Sequence, residues 1–259
     1  MPRFLALLCA AHCAAAYAAP QPALQLRGAT ALLPLMQRAA ENYMAREPGS
    51  SVVVASGSSA FGVKSLLDGS ADIAMVHGAI PQSLQTPLRK DQAWQPLVVG
   101  YQALIPVAHP DNPVSDISLA QLRAVFSGAI SNWRELGGTD SPITVLVDPP
   151  AGGAGLAWRE VVLGADGRFS PRSVLLPRRD WVAQLARHPE GIAIVGADEL
   201  SPGLKRLTLS GQRADAAAVS SGRYPLRIPL LLLTARPPAP ACAAFLRSLA
   251  APRQDGAYR

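Results

Sequence analysis

Short apolar runs alternate along the chain with segments whose apolar residues recur at helical spacing. Leu24 to Arg27 is one such run, and after Gly28-Ala29-Thr30 the apolar residues from Leu32 to Met44 follow a helical period. Two β-branched or apolar runs, Ser51 to Ala55 and Ala71 to Val76, enclose another amphipathic segment. This succession of strand, turn and helix predicts a parallel sheet with crossover helices.

A second α/β unit is predicted further along the chain. Ser118 is in position to cap a helix. Strands are predicted at Ile143 to Val147, Ile192 to Val195 and Leu204 to Leu209. Helices are predicted at Leu156 to Leu163, at Trp181 to His188 and around Cys242 to Leu249. The whole chain is therefore expected to be an α/β protein.

Two long extended segments suggest how the two units are joined. Leu97 to Val107 and Tyr224 to Thr234 are both apolar and long enough to cross between lobes. We expect residues 19–100 and 225–259 to form lobe 1 and residues 101–224 to form lobe 2. Ligands of such folds bind where strands end and helices begin, so the turns between strand and helix are the expected site.

The first residues resemble a secretion signal. An apolar stretch follows Arg3, and Ala16-Tyr17-Ala18 is a plausible cleavage site, so residues 1–18 are predicted to be removed and the protein to reach the periplasm. Cys242 is then the one cysteine left, which excludes an internal disulfide. The net charge of +6 comes from scattered arginines without a basic tract; this disfavours nucleic acid and favours a small anion.

One segment resembles a known family. Residues 126–138 read F-S-G-A-I-S-N-W-R-E-L-G-G, which is similar to the F-x-G-x-I-x-N-W-x-x-L-G-G motif of the phosphate-binding proteins of bacterial ABC importers. Further segments match that family in the same order: Gly28-Ala29-Thr30, Gly69 to Ala74, Asp111 to Val114, Pro189 to Ile192 and Tyr224 to Leu226. The resemblance implies a type II periplasmic-binding-protein fold, with two α/β lobes joined by two crossing segments, that closes around a small oxyanion.

The resemblance also implies the ligand positions. In lobe 1 they are Thr30, Ala31, Ser58, Ser59 and His77, and in lobe 2 they are Asp148, Gly152, Gly153 and Ala154. Lobe 2 departs from the family's pattern, which has an arginine followed by Ser-Gly-Thr where this chain has Asp148 and Gly152 to Ala154. An aspartate near a phosphate repels it, and the two lost hydroxyls remove donors.

Each of these residues also has a structural interpretation. Thr30 is in position to cap a helix, Ser58 and Ser59 lie in a turn that favours serine, and Asp148 begins a turn. His77 could supply a positive charge that depends on pH, since the ordinary pKa of histidine is about 6.5. Backbone amides at helix starts offer an anion further donors.

The function expected is capture of phosphate or a related oxyanion for an ABC permease by a monomeric receptor that performs no chemistry. The alternative is a degenerate relative that has lost the ligand and serves as a sensory or interaction partner of a membrane protein. An enzyme using His77 and Asp148 as an acid–base pair lacks a nucleophile. His109 and His188 have no partners at metal-ligand spacing, so neither a metal nor a cofactor is expected.

Overall fold

A computed structural model describes residues 22–78, 93–148, 153–164 and 166–250. The predicted signal peptide at 1–18 and the predicted ligand position Gly152 lie outside the described residues. Within them the α-helices are α1 (Leu33–Arg46), α2 (Ser59–Leu67), α3 (Leu119–Ser127), α4 (Gly153–Leu163), α5 (Trp181–Leu185), α6 (Ala216–Ser221) and α7 (Pro240–Ala250).

The strands form one large sheet and one small one. They are β1 (Leu24–Ala29), β2 (Val52–Gly57), β3 (Ile73–His77), β4 (Ala93–Ala108), β5 (Asp116–Ile117), β6 (Thr144–Val147), β7 (Val174–Leu175), β8 (Gly191–Gly196), β9 (Lys205–Arg206), β10 (Thr208–Leu209) and β11 (Arg227–Arg236). The large sheet has the order β2-β1-β3-β11-β4-β8-β6-β7, with β9 beside β4, and β5 pairs with β10 in the small sheet. The fold is the predicted type II periplasmic-binding-protein fold.

The two long strands β4 and β11 cross the middle of the large sheet. They are antiparallel, from Arg227 opposite Ala103 to Arg236 opposite Ala93, with an irregularity between Leu230 and Leu231. From Leu104 onward β4 pairs with β8 instead. The predicted lobe boundaries fall in the middle of β4 and just before β11, and they stay a prediction.

Buried apolar residues fall into separate clusters on the two halves of the sheet. The larger cluster draws on residues 103–228 and is rich in aromatics: Trp158 lies 6.1 Å from Trp181 and 6.2 Å from Phe126 between ring centroids. A second cluster combines β1 and α1 with Phe245 and Cys242 from the last helix. Apolar packing therefore stabilises the sheet and its helices on both sides of the crossing strands β4 and β11.

Residues of the family motif mainly hold the second half together. Ser118 caps α3 through a capping box with Gln121, as predicted. Trp133 is fully buried and its indole Nε1 donates to the carbonyl of Glu190 at 2.9 Å. Asn112, also buried, accepts from the amide of Val114 at 3.0 Å. Trp133 and Asn112 thus stabilise this half from within, whereas Ser127 and Ser131 of the motif are exposed.

Three local predictions are wrong. Thr30 does not cap a helix with its side chain; it begins a short 3-10 helix, Thr30–Leu32, that precedes α1. The strand predicted at Leu204 to Leu209 is split into β9 and β10, which pair in different sheets. The helix predicted from Trp181 ends at Leu185, well before His188.

No helix among the described residues combines the length and the apolar character needed to cross a bilayer.

Candidate functional site

The carboxyl ends of three neighbouring strands meet at one edge of the sheet. β1 runs parallel to both β2 and β3, and these strands end at Ala29, Gly57 and His77. The short 3-10 helix follows the first strand and α2 follows the second. We call this group, consisting of Thr30, Ser58, Ser59 and His77, the first side of the site. The structure thus brings together four of the residues that the sequence predicted for lobe 1, and the fifth, Ala31, follows Thr30 in the 3-10 helix.

The hydroxyl groups of the first side bond to main-chain atoms. Thr30 Oγ1 donates to the carbonyl of Gly57 at 3.1 Å, which ties the end of β1 to the end of β2. Ser59 Oγ accepts from the amide of His77 at 3.1 Å and lies 3.4 Å from the carbonyl oxygen of the same residue. The second distance exceeds that of an ordinary O–H···O bond, so the Ser59 proton is only weakly held. Both Ser59 and His77 are buried.

Helix α2 directs its positive end toward the same edge. Ser58 is its N-cap, and Ser58 Oγ accepts from the amide of Phe61 at 3.1 Å. The amides of Ser59 and Ala60, at the first two helical positions, have no acceptor among the described residues. Free amides and the helix dipole together make a helix start attractive to an anion.

A glycine allows β1 and β3 to approach closely at this edge. Gly28 has a φ of +141°, and a Cβ atom built on it would lie 2.1 Å from the carbonyl oxygen of Met75 on β3. No side chain fits there without movement of backbone. The Gly28-Ala29-Thr30 motif is therefore explained by packing as well as by the site.

The second side of the site consists of Asp148, Gly153 and Ala154. Asp148 follows β6 and is half-buried, and α4 begins at Gly153 and contains Ala154. Residues of α4 have Cα atoms within 8 Å of residues in both β3 and β11. This helix therefore connects the second half of the molecule with the strand that ends at His77.

The sequence analysis did not weigh Arg159, a basic residue on α4. The Nε atom of its guanidinium is buried and has no hydrogen-bond partner among the described residues. The sequence does contain a signal for it, because Arg159 is the one arginine in the first two turns of the helix that begins at the predicted positions Gly153 and Ala154. Arg159 is thus, in addition to His77, a candidate for the positive charge that an anion needs.

Parallel strand ends, the start of α2 and a nearby second-half helix give the chain the architecture of the periplasmic-binding-protein class. A sequence model of the PBP superfamily domain matches residues 14–253. The chain belongs to the PBP superfamily. The resemblance to the phosphate-binding proteins of bacterial importers, inferred from the sequence, is confirmed by its relatives.

Among curated proteins, the chain is 28% identical over 207 residues to phosphate-binding protein PstS of Bacillus subtilis, covering 78% of this chain and 67% of that protein. Among solved structures it is similar to an ABC-type phosphate transport receptor from Vibrio cholerae, with a TM-score of 0.74, 20% identity, and coverage of 88% of this chain and 93% of that one. PstS from Borrelia burgdorferi has a TM-score of 0.70 and 16% identity, with coverage of 88% and 92%.

Proposed function

We propose that this protein is a receptor that binds phosphate or a related small oxyanion and passes it to the permease of an ABC importer, without performing chemistry. The observation that carries the proposal is the cluster of strand ends with the free amides of Ser59 and Ala60 at the start of α2. Its relatives include phosphate-binding protein PstS of Bacillus subtilis. Removal of residues 1–18 and action in the periplasm are part of the proposal.

The side chains of the first side would have to turn when an anion binds. Thr30 donates its hydroxyl proton to the carbonyl of Gly57, whereas Ser59 Oγ lies at a long 3.4 Å from the carbonyl oxygen of His77. Rotation of either hydroxyl toward an oxyanion exchanges a neutral acceptor for a charged one, and hydrogen bonds to charged groups are roughly twice as strong. Ser59 loses the weaker hydrogen bond when its hydroxyl rotates, so it is the first hydroxyl expected to turn toward the anion.

The charge of the anion also needs a positive partner. Asp148 occupies the place where the resemblance implies an arginine, so the positive charge is proposed to come from Arg159 on α4 and from His77 when it is protonated. A guanidinium is always charged at neutral pH, whereas the imidazole is not. Affinity is therefore expected to be higher at pH 6 than at pH 8, provided that the ligand remains an anion.

Closure is proposed to occur about β4 and β11. Lobe 1 would comprise residues 19–100 and 225–259 and lobe 2 residues 101–224, and the ligand would favour the closed arrangement through contacts with both. The register irregularity at Leu230 and Leu231 lies on this strand pair. A monomer without affinity for nucleic acid is the expected state.

Calorimetric titration of the mature protein with phosphate at pH 6 and pH 8, with sulfate as the control, tests the proposal. Saturable heat with phosphate and little with sulfate is the expected result. Arg159→Ala should weaken phosphate binding about tenfold, the loss of one charged hydrogen bond, while Arg168→Ala, an exposed arginine of the same half, should not. Absence of phosphate binding at both pH values would favour the degenerate relative that serves as an interaction partner.

A further inference from the structure

A second pocket lies in the half of the molecule that contains the family motif, away from the proposed oxyanion site. It has a volume of about 230 Å³ and is formed by the end of α3, by Ile143 and Val145 at the start of β6, and by the loop 170–173. None of the residues of the first or second side of the site lines it. Asp148 follows the opposite end of β6, so the two places are separated by the length of that strand.

The lining of this pocket combines apolar side chains, here called the floor, with hydroxyl groups. Val125, Ile130, Ile143 and Val145 supply the hydrocarbon surface. Ser127, Ser131, Ser170 and Ser173 supply the hydroxyls. Mixed lining of this kind fits a ligand with an apolar body and one polar end.

Two polar groups in the lining are not used by the protein. Ser173 Oγ is buried and has no hydrogen-bond partner among the described residues. A buried hydroxyl without a partner is unfavourable, so a ligand that bonds to it gains free energy. The guanidinium of Arg172 has neither an ion pair nor a hydrogen bond within the same described ranges, although the amide of that residue bonds to Ser170 Oγ at 3.2 Å.

Glu135, which lies near the lining residue Ser131 in the sequence, is engaged in main-chain hydrogen bonds. Glu135 Oε1 accepts from the amides of Ser131 and Asn132 at 3.1 Å and 3.0 Å and forms the capping box of the 3-10 helix that begins at Trp133. Arg172 is left as the free cation of the pocket among the described residues.

We propose that this pocket binds a small aliphatic carboxylate. The carboxylate would pair with the planar guanidinium of Arg172 and accept from Ser173 Oγ, while its hydrocarbon chain would lie on the valine and isoleucine floor. At about 30 Å³ for each water-sized group, the volume holds at most roughly seven or eight non-hydrogen atoms, which leaves room for an acid of up to about six carbons. A fully hydrated inorganic anion would leave the floor uncovered.

Titration of the mature full-length protein with butyrate, followed by ligand-detected NMR or calorimetry, tests this proposal. Butyrate should bind saturably, butan-1-ol should bind at least about tenfold more weakly, and neither sulfate nor phosphate should displace butyrate. Arg172→Ala should weaken butyrate binding about tenfold or more, whereas Arg168→Ala should leave it unchanged. Phosphate binding at the other site should be the same in both variants, so the two proposals fail separately.

Ser173→Ala gives an independent measurement. Because the hydroxyl is buried and unsatisfied, its removal should leave the free protein as stable as before or more so, while butyrate binding weakens about threefold. The proposal is overturned if butyrate does not bind, if Arg172→Ala binds it as tightly as the wild type, or if butan-1-ol or sulfate binds as well as butyrate. If Ser173→Ala binds butyrate as tightly as the wild type, the Ser173 hydroxyl does not contact the ligand.

Discussion

The first and second sides of the proposed oxyanion site are built in different ways. On the first side, polar side chains are tied to strand ends: Thr30 bonds to Gly57, and Ser59 bonds to His77. On the second side the hydroxyls of the family pattern are replaced by glycine and alanine, and Asp148 stands in place of an arginine. The difference teaches that the hydroxyl groups of Thr30 and Ser59 also hold strand ends together, so their removal should lower stability as well as affinity.

The largest loss of stability is expected from a change at Gly28, where the backbones of β1 and β3 approach closely next to the first side. Gly28→Ala places a methyl group 2.1 Å from the carbonyl oxygen of Met75 and should lower the free energy of unfolding by about 3 kcal/mol or more. Chemical denaturation measures it. The matched control is Gly69→Ala, which also has a positive φ, of +78°, but no atom within 4 Å of the added carbon, and should cost only about 1 kcal/mol. Equal losses in the two variants would show that close packing of β1 on β3 is unimportant.

The next effect separates the structural role of Ser59 from its role in binding. Ser59→Ala leaves the buried amide of His77 without its acceptor, so the free energy of unfolding should fall by about 1–3 kcal/mol even without ligand. Phosphate affinity should fall as well. Ser220→Ala removes an exposed hydroxyl elsewhere and should change stability by less than about 0.5 kcal/mol. A variant that loses affinity at unchanged stability would contradict the double role.

A charge change on the second side should raise phosphate affinity, whereas the Ser59 change on the first side lowers it. Asp148→Asn removes a negative charge from the side that lacks an arginine, and phosphate affinity should rise about tenfold, an effect of about 1.4 kcal/mol. Asp166→Asn removes the same charge from an exposed position of the same half and serves as the control. If the two variants bind phosphate equally, Asp148 does not face the anion.

The smallest effect concerns the core beneath the first side. Burial, aided by the charge of Asp72, raises the pKa of the Cys242 thiol to about 11. The unfolded chain therefore releases this proton at lower pH than the folded protein does, and the contribution of the thiol to stability is lost as the pH rises from about 9 to about 11. Between pH 8.5 and pH 10 the wild type should lose about 1 kcal/mol more than Cys242→Ala, measured by denaturant unfolding of both at each pH. Parallel losses would show that the thiol ionises equally in both states.

Much of the fold could be predicted from local patterns. The strands β1, β2, β3, β6 and β8 were placed within one or two residues because each is a compact apolar run next to a turn. The split between β9 and β10 could not be predicted, because Leu207 lies between strands that pair with different partners, and pairing depends on distant segments.

The site was predictable only in part, for the same reason. Motif positions placed Thr30, Ser59 and His77 together, but nothing near Thr30 in the sequence indicates that its hydroxyl bonds to Gly57, 27 residues away. The pocket at Arg172 was missed entirely. Its lining comes from three segments that are separated in the sequence and become neighbours only in the folded chain.

The position of β11 between β3 and β4 determines when the sheet can be completed as the chain emerges. β11 is the last strand of the described chain, yet it pairs with β3 on one side and β4 on the other. Residues 78–226 separate β3 from it, so the sheet can be completed only after all of these residues have emerged, whether from the ribosome or on the far side of the membrane. Until then β3 and β4 each present an open edge, so the growing chain remains incompletely folded and exposed to aggregation or to binding by chaperones. Because β11 is the last of the described strands but lies in the middle of the sheet, the first half of the chain cannot complete its fold until the end of the chain is available.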